Sequence, residues 1–427
     1  MEKYGEIMAV SESIPIYACF PFILLLLLIA ILPLALPKIW ERNRNKAIIS
    51  ALVSLPILVF MIVHFPGELT LTVRDYFSFI ILLASLFIIS GGILVEGDLR
   101  ATPAVNTFFL FIGGIMANLI GTTGASMLLI RPFLKTNSER RLTSHIPVFF
   151  IFIVSNIGGC LTPLGDPPLF LGYLKGVPFT WTFRLFPIWL TTMGIVLAVF
   201  YIWDTLCYRK ENIGDIQHDM ADISPLKISG KINLLFLMGI VLAVSFQTPA
   251  PYRELIMILM TLLSLRFTGQ EIHRRNRFTY HPISEVAILF AGIFITVVPL
   301  LILLQVKGAT LGLTQPWQFF WYAGGLSTFL DNAPTYLAFF SLAEAVTKSA
   351  GAVASTVAGV DVNLLRAISC GAVFMGANSY IGNGPNFMVR SIAEEQKVKV
   401  PHFFGYMGYS LLILVPTFLL ITFVFFL

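Results

Sequence analysis

The sequence predicts an all-α polytopic membrane protein: two inverted-topology repeats, about ten transmembrane helices, two re-entrant hairpins and two broken helices. Three observations predict it. Hydrophobic residues make up 57% of the 427 positions and charged residues only 12%, far less charge than a soluble chain of this length carries. Apolar stretches long enough to cross a bilayer recur from end to end. Finally, Gly159-Cys160-Leu161-Thr162-Pro163-Leu164-Gly165-Asp166-Pro167-Pro168-Leu169-Phe170 matches residues 376–387 at an offset of 217. Both glycine pairs, Pro168/Pro385 and Phe170/Phe387 are identical, and Thr162/Ser379, Leu164/Ile381 and Asp166/Asn383 are conservative. Paired, interrupted hydrophobic segments in two halves of a membrane protein point to a binding site at the bilayer midplane.

The expected spans are 14–37, 46–64, 76–95, 147–173, 182–204, 232–249, 252–268, 283–304, 364–389 and 403–427. Met1 to Ser13 is acidic and lacks a basic n-region, so the first apolar run is expected to stay in the mature protein. Two more apolar segments, 104–130 and 316–345, are interrupted by Gly121-Thr122-Thr123-Gly124 and Asp331-Asn332-Ala333-Pro334. Broken backbone is not tolerated against lipid, so both are expected to be hairpins that enter and leave on one face.

Charge is consistent with that count. With the start outside, the cytoplasmic segments are 38–46, 96–103, 131–146, 205–231, 266–282 and 390–402, and they hold twenty of the 28 Lys and Arg residues. The positive-inside rule is met only if neither hairpin crosses. The chain then divides into a first repeat, 14–204 (hairpin 104–130, broken helix 147–173), a cytoplasmic linker, 205–231, and a second repeat, 232–427 (hairpin 316–345, broken helix 364–389). Five crossings per half invert one repeat relative to the other. The hairpins align at an offset of 211, with Gly113-Gly114 over Gly324-Gly325. The linker, with Arg209, Lys210, Asp215, Asp219, Lys227 and Lys231, reads as a solvated connector.

The first broken helix carries Asn156, Thr162 and Asp166. Pro167 and Pro168 lack amide hydrogens and Gly165 lowers helix propensity, so the helix unwinds and frees carbonyls. Those oxygens, the Thr162 hydroxyl and the Asp166 carboxylate form a hard shell suited to a small cation, and Asp166 is the main candidate for proton exchange. A carboxylate inside a membrane normally serves a pathway. The ordinary account makes Asp166 the N-cap of a helix beginning at Pro167. The second broken helix carries Asn378, Ser379, Asn383 and Asn386, which line a pocket or, more plainly, bond between helices. At the hairpin tips Thr122, Thr123, Asp331 and Asn332 can meet a small ion, helped by helix-end dipoles. Asp331 also fits a helix cap, and Ser327 and Thr328 are weaker candidates. Glu285 is a candidate proton feeder, or simply a carboxylate favoured near a helix N-terminus.

The four cysteines are scattered without metal spacing and read as small apolar fillers. No nucleotide motif, cofactor box or nucleophile–base set is visible, so no enzyme and no cofactor are expected beyond transported sodium and protons. The positive charge of +5 does not point to nucleic acid in so apolar a chain; the expected partners are lipid and a small ion.

The string Ser155-Asn156-Ile157-Gly158-Gly159 through Thr162-Pro163-Leu164-Gly165-Asp166-Pro167, with Leu330-Asp331-Asn332-Ala333-Pro334, resembles the ion transporter superfamily. That superfamily holds NhaD-type sodium/proton antiporters, arsenite-pump permeases and citrate and dicarboxylate transporters. The likeness is closest to the antiporter and citrate-transporter-like branch and covers nearly the whole chain. It implies a scaffold part and a moving transport part working as an elevator. It also implies functional roles for Asp166, Asp331 and Asn332, and a homodimer. The tips lack the Ser-Asn-Thr signatures of carboxylate carriers, and Ile120-Gly121 stands where NhaD-type proteins keep an acidic–amide pair. The expectation is a cation/proton antiporter, sodium for proton, in a bacterial cytoplasmic membrane. Cation-coupled uptake of citrate or another carboxylate is the alternative, with arsenite export a third; no Lys or Arg near the breaks weighs against the carboxylate.

Overall fold

The computed structural model describes residues 14–212, 223–351 and 355–427. Met1–Ser13, Asp215 and Asp219 lie outside the described residues. The chain is a polytopic all-α membrane protein. Among the described residues, seven stretches are long and apolar enough to cross a membrane. Helix α1 is Phe20–Ala35, α2 Asn43–His64 and α3 Pro66–Gly91. Helix α4, Pro103–Thr136, is the first hairpin. The first broken helix comprises α5, His145–Ile153, and α6, Pro167–Leu174. Helix α7 is Phe186–Tyr208, α8 Ile232–Ser245, α9 Tyr252–Phe267 and α10 His281–Lys307. The second hairpin pairs α11, Pro316–Ser327, with α12, Asn332–Ser349. The second broken helix comprises α13, Val362–Met375, and α14, Gly384–Glu395. Helix α15, Phe403–Phe425, contains a π-helical turn at Ser410–Leu414.

The hairpins follow from local geometry. Gly121 has φ 77°, a conformation L side chains rarely adopt, and the chain folds back there. Phe109 stacks on Phe133 with ring centroids 4.8 Å apart, and Asn106 and Asn137 exchange hydrogen bonds of 2.8 and 3.0 Å. A continuous helix would hold that asparagine pair about 46 Å apart. In the second hairpin Phe319 meets Phe339 edge-on at 6.3 Å. Its tip, 328–331, ends where Asp331 caps α12 through the Ala333 amide at 3.0 Å.

Several elements differ from expectation; α4 and α14 each run six residues past the expected ends at 130 and 389. Helix α3 begins ten residues early, because Pro66 suits the first helical position and Glu68 suits the first turn. Helix α8 stops at Ser245, short of the expected 249, while α9 ends within one residue of expectation; at 14 and 16 residues both are shorter than a hydrocarbon core of about 30 Å requires. The linker is not solely a solvated connector: its strand β2, Ser224–Ser229, pairs antiparallel with β1, Leu94–Asp98.

The six basic segments meet on one face. Strand β1 joins the linker; Glu96 pairs with Arg275, and Arg277 with Glu395. Lys46 pairs with Glu285 at 2.6 Å, and Glu211 accepts from the Arg141 and Leu142 amides at 3.1 and 2.8 Å. Beneath this face a buried network joins hairpin to helix: Asp204 accepts from Arg140 at 2.7 Å and Asn106 at 3.0 Å, with His145 Nε2 2.9 Å away. All of α5 is buried, and so is almost all of α13, whereas α2 exposes Leu52, Leu55 and Val63. The interrupted helices are thus enclosed by protein, as freed backbone groups require.

Candidate functional site

The two broken helices and two hairpin tips converge on Asp166. This residue occupies the N-cap position of α6 with extended backbone, yet its side chain makes no cap bond. Pro167 and Pro168 carry no amide hydrogens, so the first donors a cap would use are missing. The carboxylate turns across the protein instead. Thr122 Oγ1 donates to Oδ1 at 2.8 Å, Asn383 Nδ2 donates to Oδ1 at 3.1 Å, and Asn332 Nδ2 donates to Oδ2 at 2.5 Å. Asp166 is 1% exposed, and among the described residues no Lys or Arg pairs with it. A buried carboxylate served only by neutral donors keeps an unbalanced charge, so it is disposed to take up a cation or a proton.

Asn383 is the counterpart of Asp166 and also occupies an N-cap position without capping. It donates to Asn156 Oδ1 at 3.1 Å and to the Ser155 carbonyl at 3.2 Å. Asn156 donates to Asn386 Oδ1 at 2.7 Å, and Asn386 donates back to the Gly376 and Ser379 carbonyls at 2.8 and 2.9 Å. This ladder ties one break to the other.

The braces behind each break correspond. Asn118 Nδ2 donates to the Gly114 and Gly158 carbonyls at 3.2 and 2.6 Å; Thr328 Oγ1 donates to those of Gly324 and Met375 at 3.0 and 3.3 Å. Thr162 Oγ1 donates to the Asn118 carbonyl and Ser379 Oγ to the Thr328 carbonyl, both at 2.5 Å. Leu161 N donates to Asn118 Oδ1 at 2.8 Å, and Asn378 Nδ2 to Thr328 Oγ1 at 3.0 Å. These contacts relate the breaks at an offset of 217 and the hairpins at 210. The register of 211 is therefore one residue off. The Gly-Gly pairs match at both positions at 211 but only through Gly114 and Gly324 at 210, so identity alone favours the displaced register. In the observed register Thr122 corresponds to Asn332, and both donate to Asp166.

Close approach makes the break compact. A Cβ on Gly165 would lie 2.1 Å from the Gly159 carbonyl oxygen. The Thr122 amide donates to the Gly165 carbonyl at 2.8 Å, which anchors the hairpin tip to the residue before Asp166.

The sequence candidates separate on this geometry. Thr122, Asn332 and Asn383 touch Asp166, and Asn156 lies one contact away. Thr162 and Ser379 have committed their hydroxyls to the hairpins. Asn378 Oδ1 and Asn332 Oδ1 are buried acceptors without a hydrogen-bond partner. Asp331 caps α12, and Thr123, half-buried, makes no side-chain hydrogen bond among the described residues. Glu285 is paired with Lys46 on the basic face, not at the Asp166 centre.

Two participants escape sequence reading. Asn118 braces the first break, and only its polarity within an apolar segment marks it. Arg253 of α9 is 7% exposed. Its guanidinium stacks over the Phe170 and Tyr173 rings at 5.9 and 5.3 Å and pairs with Glu254. Phe170 is one turn along α6 from Asp166, so a buried Arg–Glu pair packs against the helix that leaves this break. Nothing in the sequence brings α9 to α6.

A family model described as "Putative citrate transport" matches residues 11–426. The chain belongs to that family. This agrees with the resemblance to citrate-transporter-like members of the ion transporter superfamily. No curated protein matches the chain.

Proposed function

We propose that the protein is a secondary carrier that moves a citrate-class carboxylate together with a small cation or proton, and that Asp166 is the coupling centre. One observation carries the reading: Thr122, Asn332 and Asn383, from three other broken segments, all donate to the Asp166 carboxylate inside the protein. Unwound segments in matching positions of two halves are where transporters hold substrate and coupling ion. The family match supports a carboxylate as cargo. Arg253 of α9 supports it too: its guanidinium stacks on Phe170, one turn along α6 from Asp166, and release from Glu254 would free its charge for an anion.

The recurring contacts support two inverted repeats, 14–204 and 232–427, joined by the segment 205–231. They also support an elevator in which hairpins and broken helices move as one body. Twenty Lys and Arg residues in the segments of one face support placing that face in the cytoplasm of a bacterial inner membrane.

Sodium/proton antiport is the second reading. It is favoured by the Asp166 centre itself, whose polar partners are a hydroxyl and two amides with no cation among them. One reconstitution separates the two. Purified protein in liposomes is given radiolabelled citrate under an imposed sodium or proton gradient. Citrate accumulation dependent on the gradient supports carboxylate symport. Sodium-driven collapse of a pH gradient without citrate supports antiport. Neither signal in a folded protein overturns both.

A further inference from the structure

We infer that a cavity on the basic face, lined by none of the residues that bond Asp166, binds a small multivalent oxyanion. The cavity encloses about 640 Å³, within the size range of ligand pockets. The first hairpin contributes Arg131 and Lys135, the segment after α14 contributes Lys397 and Lys399, and the opposite wall contributes Arg275 and Glu96. Glu96 is the only acidic side chain among the lining residues of the described cavity. It is engaged by Arg275, and Arg131 has Glu395 at 3.9 Å. Lys135, Lys397 and Lys399 form no ion pair among the described residues. Arg140 also lines the cavity, with its guanidinium directed to Asp204 and its Nε 3.9 Å from the Glu211 carboxylate.

Concave walls of one charge focus the field and concentrate counter-ions. Lysines bind phosphate-like anions as mobile point charges, while arginines offer a planar fork. Both types line one recess here. Its walls come from two groups of elements. The first hairpin and α14 hold the Asp166 centre; β1 and the loop before α10 do not. A bound oxyanion would cross-brace the two groups. This inference is independent of what the Asp166 centre carries.

Inorganic phosphate is the probe. Its binding to the full-length purified protein is measured by isothermal titration calorimetry in detergent. Saturable binding that weakens with added chloride is expected. Lys135→Gln/Lys397→Gln should weaken it about tenfold. A double variant with the parent's affinity overturns the inference, as does the absence of saturable binding. Should the double variant not fold, Glu96→Gln decides: removal of the lone acid tightens binding about threefold, and an unaltered affinity overturns the site. Nanodiscs with and without phosphatidic acid distinguish the source. Competition by that lipid assigns a phosphate headgroup as occupant; its indifference assigns a free anion. Both outcomes uphold the site.

Discussion

Asp166→Asn is the sharpest perturbation of the centre, because the surroundings can absorb its shape but not its charge. The carboxylate takes donors from Thr122 and Asn383 on Oδ1 and from Asn332 on Oδ2. An amide with its oxygen at the Oδ1 position keeps the first two. Its nitrogen then faces the Asn332 amide nitrogen, a donor against a donor. That conflict is relieved locally, since Asn332 Oδ1 lacks a partner and a half-turn of its amide presents it. The expected stability change is therefore about 1 kcal/mol, one neutral hydrogen bond's worth. The lost charge is larger. At 4 Å and an effective dielectric constant of about 20, a carboxylate attracts a monovalent cation by about 4 kcal/mol, roughly a thousandfold in affinity. Scintillation proximity with radiolabelled sodium, together with citrate uptake in liposomes, measures it. A folded variant whose cation affinity and uptake fall within tenfold of the parent's refutes the assignment of Asp166 as coupling centre.

Other outcomes follow from single contacts. Gly165→Ala forces a Cβ to 2.1 Å from the Gly159 carbonyl oxygen, a backbone clash costing about 3 kcal/mol; a clear drop in melting temperature by fluorescence-detected size exclusion is expected, and a parent-like melt contradicts the close approach. Spin labels at Asn106 and Asn137 report a separation under about 20 Å by double electron–electron resonance, whereas an unbroken helix would give about 46 Å. Arg253→Gln should raise the KM for citrate about tenfold and leave sodium/proton exchange alone, so an unchanged KM removes Arg253 from the carboxylate reading. Arg140→Leu strands Asp204 in a buried setting with His145 and Asn106; a loss of about 3–5 kcal/mol is expected, and a thermal melt equal to the parent's would count against a buried ion pair there.

Periodic apolarity made the helices legible: every expected span lies on a helical segment, and Gly, Pro and Asp at 159–168 marked a break before any coordinates. Local chemistry also marked the turn at Gly121 and the cap at Asp331. Lengths were less legible, because helix α3 continues through Arg74 and Asp75, polar residues that mimic a loop. The strand Ser224–Ser229 was hidden, since its partner Leu94–Asp98 lies 130 residues earlier. The doubled glycines concealed the hairpin register.

By itself the sequence determined the membrane class, the broken segments and the residue types they carry, because hydropathy and helix-breaking act over a few neighbours. Only the tertiary structure decided which of those polar groups meet. Asp166 has the local setting of an N-cap, and three donors from distant segments claim it instead. Glu285 is likewise held by Lys46, and Arg253 is brought to α6. Such pairings depend on how hairpins, broken helices and their neighbours pack, and a buried polar group bonds to whatever donor that packing places within 3 Å of it.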